Sequence, residues 1–243
     1  MKKRLDEALV GKGLAGSLRL AAAYILEGRV KVEGIVADKP GRMVADDDHI
    51  SLDLPERSFV SRAGHKLHGA LEALRIDVRT MTALDVGSST GGFTDCLLQH
   101  GARKVYAVDV GTGLMDYKLR QDKRVVLIEG TNFRYFGPGE LLSAIDIATV
   151  DVSFISLDLI LPRVVPCLRK SGIVLALIKP QFELERKDVG RGGVVRSREK
   201  HARAIEKIEH AAGGLGLEVI DVVPSPVKGL KGNQEFFLYL QKP

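Results

Sequence analysis

The sequence predicts an α/β protein, in which a small N-terminal α/β module precedes a larger Rossmann-like domain with a mostly parallel, seven-stranded sheet. Three observations support this. The 243 residues are long enough for a small and a medium domain. Residues 61–243 alternate between strand-like and helical segments, which indicates a parallel sheet covered by helices on both faces. Residues 1–56 have a shorter, turn-rich pattern, and residues 57–60 are predicted to link the two domains.

The N-terminal module is predicted to contain two helices followed by short strands. Apolar residues recur at helical spacing over residues 5–9 and 18–25, and Gly28 is expected to end the second helix. Residues 30–32 and 50–54 alternate in polarity, which is typical of short strands with one buried face.

The larger domain is predicted to continue in regular βα units. Its apolar runs are bounded by glycine and polar residues, and helical periodicity separates most of them. Strands are predicted at 83–86, 105–110, 124–128, 147–152, 173–178, 218–223 and 235–240, and helices near 63–75, 92–99, 114–120, 157–168 and 198–213.

The composition favours a cytoplasmic protein without a membrane partner. Lys and Arg number 36 against 31 Asp and Glu, and the formal charge of +5 permits a polyanionic partner. Cys96 and Cys167 lie far apart, which fits a reducing compartment and argues against a disulfide framework. No signal-peptide-like run follows the basic N-terminus, and the apolar stretch 173–178 is too short to cross a bilayer. Neither cysteines nor histidines have metal-ligand spacing, so no metal is expected.

A glycine-rich turn after the first strand of the larger domain predicts a cofactor site. Glycines let the backbone approach a ligand closely, and the following helix offers free N–H groups. The spacing differs from the G-x-G-x-x-G of dinucleotide folds. An acid two residues before the first glycine suits the amino group of a methionine moiety, so the turn favours S-adenosylmethionine over a nicotinamide cofactor. An acid that ends the next strand is placed to bind ribose hydroxyls. The candidate residues are Asp85, Gly87, Ser88, Ser89, Thr90, Gly91, Gly92, Phe93 and Asp109.

Several further motifs make the whole chain similar to a known family. They are S-R-A-G-H-K-L at 61–67, T-V-D-V-S-F-I-S at 149–156, I-K-P-Q-F-E at 178–183, G-G-V-V-R at 192–196 and K-G-N-Q-E-F at 231–236. The chain resembles the TlyA, or haemolysin A, family of ribosomal-RNA 2′-O-methyltransferases, whose catalytic domain is of the FtsJ class. The resemblance implies a class I methyltransferase fold, S-adenosylmethionine as methyl donor, and ribosomal RNA or ribosomal subunits as partners.

The resemblance also implies a catalytic Lys-Asp-Lys-Glu tetrad, formed here by Lys66, Asp151, Lys179 and Glu235. Asp151 and Lys179 fall at the carboxyl ends of predicted strands, on the rim that carries the glycine turn. A lysine can accept a hydroxyl proton only when its amine is partly neutral, which a second cation nearby favours. We therefore interpret Lys179 as base or activator and Lys66 as that second cation. Asp151 would orient the lysines, and Glu235 would position Lys66 or the ribose.

Residues 1–56 resemble the RNA-binding domain of ribosomal protein S4 type, through R-L-D at 4–6, G-L-A at 13–15, G-R-V-K-V at 28–32 and D-K-P-G at 38–41. Residues 1–31 hold seven basic residues against three acidic ones, an expected footprint for RNA. Leu18 and Leu20 depart from the pattern, since basic residues are usual there. The candidate RNA-binding residues of this module are Lys3, Arg4, Arg19, Arg29 and Lys31.

A second basic segment, 184–203, also carries seven basic residues against three acidic ones. It is interpreted as a lid that contacts RNA phosphates or as a solvated loop, and its candidate RNA-binding residues are Arg191, Arg196 and Arg198. Phe182 is a candidate for base stacking or for the core.

Three other functions remain open from the sequence. The first is an RNA-binding ribosome-assembly factor with a vestigial methyltransferase fold, and the second is a small-molecule O-methyltransferase. The third is a pore-forming haemolysin, which the lack of a spanning segment or lytic helix disfavours.

Overall fold

The computed structural model describes residues 2–26, 28–53, 58–141, 144–190, 192–229 and 231–243. The chain divides into two compact units, Met1–Ser58 and Phe59–Pro243. Phe59 and Val60, which were expected in the linker, lie in the second unit. Phe59 is buried in its core, and the Val60 N–H donates to Asp95 Oδ2 at 2.8 Å. The assignment of the two units as separate functional domains stays a prediction.

The first unit packs two helices with five short strands. Leu5, Leu9 and Ile25 from the helices and Val30 and Val32 from the central strand form its core. The elements are β1 (Lys2–Arg4), α1 (Leu5–Gly11), α2 (Leu18–Leu26), β2 (Val30–Val32), β3 (Ile35–Ala37), β4 (Met43–Ala45) and β5 (Ile50–Leu52). Strand β2 pairs antiparallel with β3 and β5, and β1 pairs with β4.

The second unit is built on one seven-stranded sheet. Its strands are β6 (Thr82–Val86), β7 (Lys104–Val108), β8 (Val125–Ile128), β9 (Ile145–Val150), β10 (Leu168–Ile178), β11 (Glu218–Pro224) and β12 (Phe236–Gln241). Its helices are α3 (Arg62–Ala73), α4 (Gly92–Gln99), α5 (Tyr117–Gln121), α6 (Leu161–Val164), α7 (Pro180–Glu183) and α8 (Arg198–Gly214). The order is β11-β12-β10-β9-β6-β7-β8, and only the pairings of β12 with β10 and β11 are antiparallel. The predicted fold class is confirmed.

Helices cover both faces of this sheet. Leu67 of α3 and Leu97 of α4 pack in one core, and Ile208 of α8 packs in the other. Every residue of β6 is buried, as expected for a central strand covered on both sides.

The helix predicted over 157–168 is broken into three pieces, which corrects the sequence-based expectation. Short 3-10 turns at Leu157–Leu159 and Val165–Cys167 flank α6. Pro162 and Pro166 each lack a backbone N–H donor, and a proline ring clashes with the carbonyl four residues earlier, so a continuous helix cannot form.

The chain order reverses at β6, since β7 and β8 lie on one side of it and β9 and β10 on the other. In open α/β sheets, ligands bind beyond the carboxyl ends of the strands at such a point. This edge carries the glycine-rich turn and the segments that follow β9 and β10.

Candidate functional site

The glycine-rich turn is held close to the segment that follows β9. Gly87 has φ +82°, and a Cβ there would lie 2.5 Å from the carbonyl oxygen of Asp151. Gly91 has φ +92°, and a Cβ there would overlap the side chain of Leu119. Gly92, which opens α4, leaves no room for a Cβ beside Ser61. The glycines are therefore needed both for backbone conformation and for close packing.

A cavity of about 440 Å³ opens beyond β6, β7 and β9, and Asp109 lies in its wall. The Asp109 carboxylate accepts hydrogen bonds from the backbone N–H groups of Ser89 and Gly111, both at 2.7 Å. It thereby ties the glycine turn to the segment after β7. The cavity also has apolar walls, which include Val110, Leu114, Phe133, Val152 and Ile160. These residues come from separate segments of the chain, so no sequence pattern marks them as lining one cavity.

A smaller cavity of about 170 Å³ adjoins the glycine turn. The Ser88 hydroxyl is buried there and has no hydrogen-bond partner among the described residues. Lys179 contributes a cation to the wall. Most of the predicted cofactor residues meet at this cavity, whose lining includes Ser61, Gly87, Ser88, Ser89, Thr90, Gly92, Phe93, Asp151, Ser153 and Lys179.

Asp85 lies beneath the turn and is absent from the lining of the cavities of this site, and its predicted contact with the cofactor stays a prediction. Its side chain is fully buried, and it accepts hydrogen bonds from Thr94 Oγ1 at 2.7 Å and Thr149 Oγ1 at 3.2 Å. Burial raises the pKa of Asp85 to about 7, and the nearby charge of Asp151 acts in the same direction.

The tetrad residues form two short ion pairs. Lys179 Nζ lies 2.6 Å from Asp151 Oδ1 and donates to Ser153 Oγ at 2.9 Å. Lys66 Nζ lies 2.6 Å from Glu235 Oε2. Lys66, Lys179 and Glu235 line one cavity of about 370 Å³, and Lys179 also lines the smaller cavity beside the glycine turn.

Two phenylalanines meet at this third cavity. The Phe154 side chain is 90% exposed, and its backbone has φ +63°, a left-handed conformation that is uncommon for a bulky residue. Its ring lies 5.0 Å from that of Phe182, centroid to centroid. Phe154 was missed in the sequence, because a positive φ leaves no mark in the residue pattern of a non-glycine position.

The predicted RNA-binding residues of the first unit are largely paired with acids. Lys3 contacts Asp46 at 3.0 Å, Arg4 contacts Asp6 at 2.7 Å, and Lys31 contacts Asp53 at 3.0 Å.

Two other predicted residues of this unit differ in exposure, since Arg19 is exposed and Arg29 is half-buried. Leu18 and Leu20, which stand where basic residues are usual, are 53% and 40% exposed.

The basic segment 184–203 is partly neutralised by its own acids. Asp188 contacts both Lys200 and Arg203, at 3.3 Å and 3.0 Å. Arg196 and Arg198 are exposed and lie in no ion pair that the described residues form. Arg191, also predicted to bind RNA, lies outside the described residues.

Comparison with known proteins identifies the class of protein domain to which the second unit belongs. The model of the FtsJ-like methyltransferase family matches residues 59–242, and the S4 domain model matches residues 3–50. A methyltransferase from Burkholderia thailandensis, solved with S-adenosylhomocysteine, has 18% identity and a TM-score of 0.54 over 75% of this chain and 79% of its own. That likeness shows the fold alone. The second unit is an FtsJ-like methyltransferase domain.

Relatives over nearly the full length narrow the class further. The 16S/23S rRNA (cytidine-2′-O)-methyltransferase TlyA of Mycobacterium tuberculosis is 42% identical, over 99% of this chain and 90% of its own. Hemolysin A of Brachyspira hyodysenteriae is 42% identical, over 97% and 98%. A solved hemolysin homologue from Streptococcus thermophilus has 41% identity and a TM-score of 0.77, over 99% and 88%. The chain belongs to the TlyA, or haemolysin A, family.

No helix among the described residues is both long and apolar enough to span a bilayer. Within the same ranges, no three His, Cys, Asp or Glu side chains gather as a metal site.

The pKa of Asp85 generates a prediction about stability. Unfolded Asp85 ionises near its ordinary value of 3.8, and folded Asp85 near 7, so the folded state holds one more proton between these values. Raising the pH through this window should lower the free energy of unfolding by at most about 1.4 kcal/mol per pH unit. Asp85→Asn should flatten this dependence in denaturant titrations. Thr149→Val keeps the titrating group and should retain the slope, and equal slopes in wild type and Asp85→Asn would contradict the assignment.

Proposed function

We propose that this protein transfers a methyl group from S-adenosylmethionine to a ribose 2′-hydroxyl of ribosomal RNA. The observation that carries the proposal is the position of Lys179, which lies in the walls of the small cavity beside the glycine turn and of the larger one that holds Lys66 and Glu235. A group at that boundary can act on an acceptor while the methyl donor is bound next to it. The name of the M. tuberculosis relative supports the ribose of ribosomal RNA as acceptor.

The cofactor fits the two cavities on the glycine-turn side. We assign the adenosine to the cavity of about 440 Å³, where apolar walls suit adenine and Asp109 can accept hydrogen bonds from ribose hydroxyls. The methionine end is assigned to the smaller cavity, where the Ser88 hydroxyl and the N-terminus of α4 can bind a carboxylate. When bound, the cofactor supplies an electrophilic methyl group on a sulfonium centre.

Lys179 is proposed to orient the acceptor hydroxyl and to take its proton. Lys179 Nζ donates one of its three N–H groups to Ser153 Oγ and lies 2.6 Å from Asp151 Oδ1 as an ion pair, which leaves an N–H for the acceptor oxygen. Among the described residues Asp151 Oδ1 accepts no hydrogen bond, so it can take one proton from the ammonium, and the neutral amine can then accept the hydroxyl proton. Lys66 is the second cation in the cavity that Lys179 lines, and Glu235 holds it there.

Phe154 and Phe182 are proposed to hold the base of the target nucleotide. Exposing an aromatic ring costs hydrophobic free energy, whereas stacking a nucleobase on it contributes about 1–3 kcal/mol. The two rings line the cavity that contains Lys179, so a base held there would bring its ribose to the same place.

Asp109→Ala should weaken cofactor binding about ten- to hundredfold, because a charged hydrogen-bond acceptor contributes about 1.5–3 kcal/mol. Calorimetry with S-adenosylmethionine measures this. Asp116→Ala is the matched control, since Asp116 also accepts a backbone N–H, from Lys118, but lies in no wall of the adenosine cavity. Unchanged affinity in Asp109→Ala would contradict the ribose contact.

Lys179→Ala should lower the single-turnover rate of RNA methylation by at least about a hundredfold, the usual scale of proton-transfer catalysis. Cofactor affinity should change much less, because the amine acts on the acceptor. Lys187→Ala removes an exposed lysine outside the cavities and should retain the rate. A near-normal rate in Lys179→Ala would overturn the mechanism.

Arg19, Arg196 and Arg198, which are exposed and lie in no ion pair of the described residues, should contribute most of the electrostatic affinity for RNA. The double variant Arg196→Ala, Arg198→Ala and the single variant Arg19→Ala should each weaken binding. Each lost phosphate contact should lower the log–log salt slope by about 0.7–0.9. Lys31→Ala, which removes a cation already paired with Asp53, should change the slope less. A salt titration of ribosomal-RNA binding in which Lys31→Ala has the largest effect would refute this assignment.

A further inference from the structure

A buried carboxylate outside the cavity of about 370 Å³ joins three segments of the second unit. Glu183, at the end of α7, accepts hydrogen bonds from the Ser156 hydroxyl and from the Leu157 N–H, the latter at 3.0 Å. Lys207 of α8 lies 3.4 Å from the same carboxylate. The Lys207 amine also donates to Ser156 Oγ at 2.9 Å and to the Glu183 carbonyl oxygen at 3.0 Å.

The two loops that Glu183 joins both contribute to the cavity of about 370 Å³ that contains Lys179. The segment after β9 carries Asp151 and Phe154, and the segment after β10 carries Lys179 and Phe182. The Lys179–Asp151 pair and the Phe154–Phe182 contact both bridge these loops on the cavity side. Glu183 and Ser156 join the same loops and line none of the three cavities of the site.

The conformation of Phe154 needs such support. A bulky residue at positive φ is strained and persists only where its surroundings hold it. The hydrogen bonds to Glu183 begin two residues later, at Ser156. They hold the chain at Ser156 and Leu157, two and three residues after Phe154.

Burial makes this carboxylate costly unless it is fully hydrogen-bonded. Desolvation raises the pKa of Glu183, whereas Ser156, Leu157 and Lys207 act in the opposite direction. A methionine or leucine of similar size would fill the same volume without that cost, which suggests that the polar contacts serve geometry rather than stability.

We infer that Glu183 and Ser156, with Lys207, are positioning residues that set the geometry of Lys179, Asp151 and Phe154 for methyl transfer. The inference rests on the proposed function. The three residues act through the loops and do not touch substrate or cofactor. A displacement of about 1 Å at a reacting group can cost about a hundredfold in rate, so kcat is expected to respond more than binding of the cofactor.

The test compares Glu183→Gln and Ser156→Ala with Asp146→Asn in the full-length protein. Asp146 is the matched control, because it also accepts a backbone N–H, from Thr82 at 2.6 Å, and pairs with the cation Arg169. It lies at the start of β9, whereas Asp151 follows the end of that strand. Kinetics of ribosomal-RNA methylation give kcat and KM, calorimetry gives the Kd of S-adenosylmethionine, and thermal melting gives Tm.

Glu183→Gln and Ser156→Ala should lower kcat about ten- to hundredfold while the cofactor Kd stays within about twofold. Ser156→Thr, which keeps the hydroxyl, should recover part of the loss. Asp146→Asn should lower Tm about as much as Glu183→Gln does, and it should keep the wild-type kcat. Wild-type kcat in Glu183→Gln and Ser156→Ala, or an equal loss of kcat in Asp146→Asn, would overturn the inference. Absence of methyl transfer by the wild-type protein would instead overturn the proposed function.

Discussion

The contact between Lys179 and Asp151 is the interaction on which the site depends. The parallel pairing of β9 and β10 places Val150 beside Ala176, so the residues that follow each strand emerge at one edge. Burying two charges costs several kcal/mol unless they are paired and hydrogen-bonded, and losing one partner typically costs 3–5 kcal/mol. The 2.6 Å contact pairs the two charges, and the hydrogen bond from Lys179 to Ser153 satisfies a further N–H of the ammonium. The same edge holds the glycine turn, because the Asp151 N–H donates to the carbonyl of Val86 at 2.9 Å.

The sequence predicted those features that depend on local pattern. Continuous apolar runs such as Ile173–Ile178 identified strands covered on both faces, and their alternation with helical segments identified the parallel sheet. The fold class and the family resemblance are confirmed. The position of Asp151 and Lys179 at one edge also followed from the sequence, since parallel strands end at the same side. The roles of the tetrad residues stay a prediction.

Features that depend on contacts between distant segments could not be predicted. Asp85 was predicted as a ligand contact from its place two residues before Gly87, and no local pattern could show that Thr149, 64 residues away, donates a hydrogen bond to its carboxylate beneath the turn. Phe154 was not singled out, because nothing in its residue type indicates a left-handed backbone or an exposed ring. The strands β1, β3 and β4 have the sequences K-K-R, I-V-A and M-V-A, which lack the apolar–polar alternation of V-K-V in β2, so no pattern marks them as strands.

The paired cations of the first unit clarify how an S4 domain with two exposed leucines on α2 can still bind RNA. Exposed ion pairs such as Lys3–Asp46 and Lys31–Asp53 contribute roughly 0–1 kcal/mol, so a phosphate can displace the carboxylate, although the acid that stays nearby repels the phosphate and weakens the contact. Arg4 differs, because two of its nitrogens bind the nearly buried Asp6, at 3.0 Å and 2.7 Å, and Asp6 also accepts the Glu7 N–H. A phosphate that took Arg4 would leave Asp6 buried without its cation. The charge of Arg4 therefore serves the start of α1 first, and we expect RNA contact at this surface to involve mainly cations such as Arg19 that hold no buried acid.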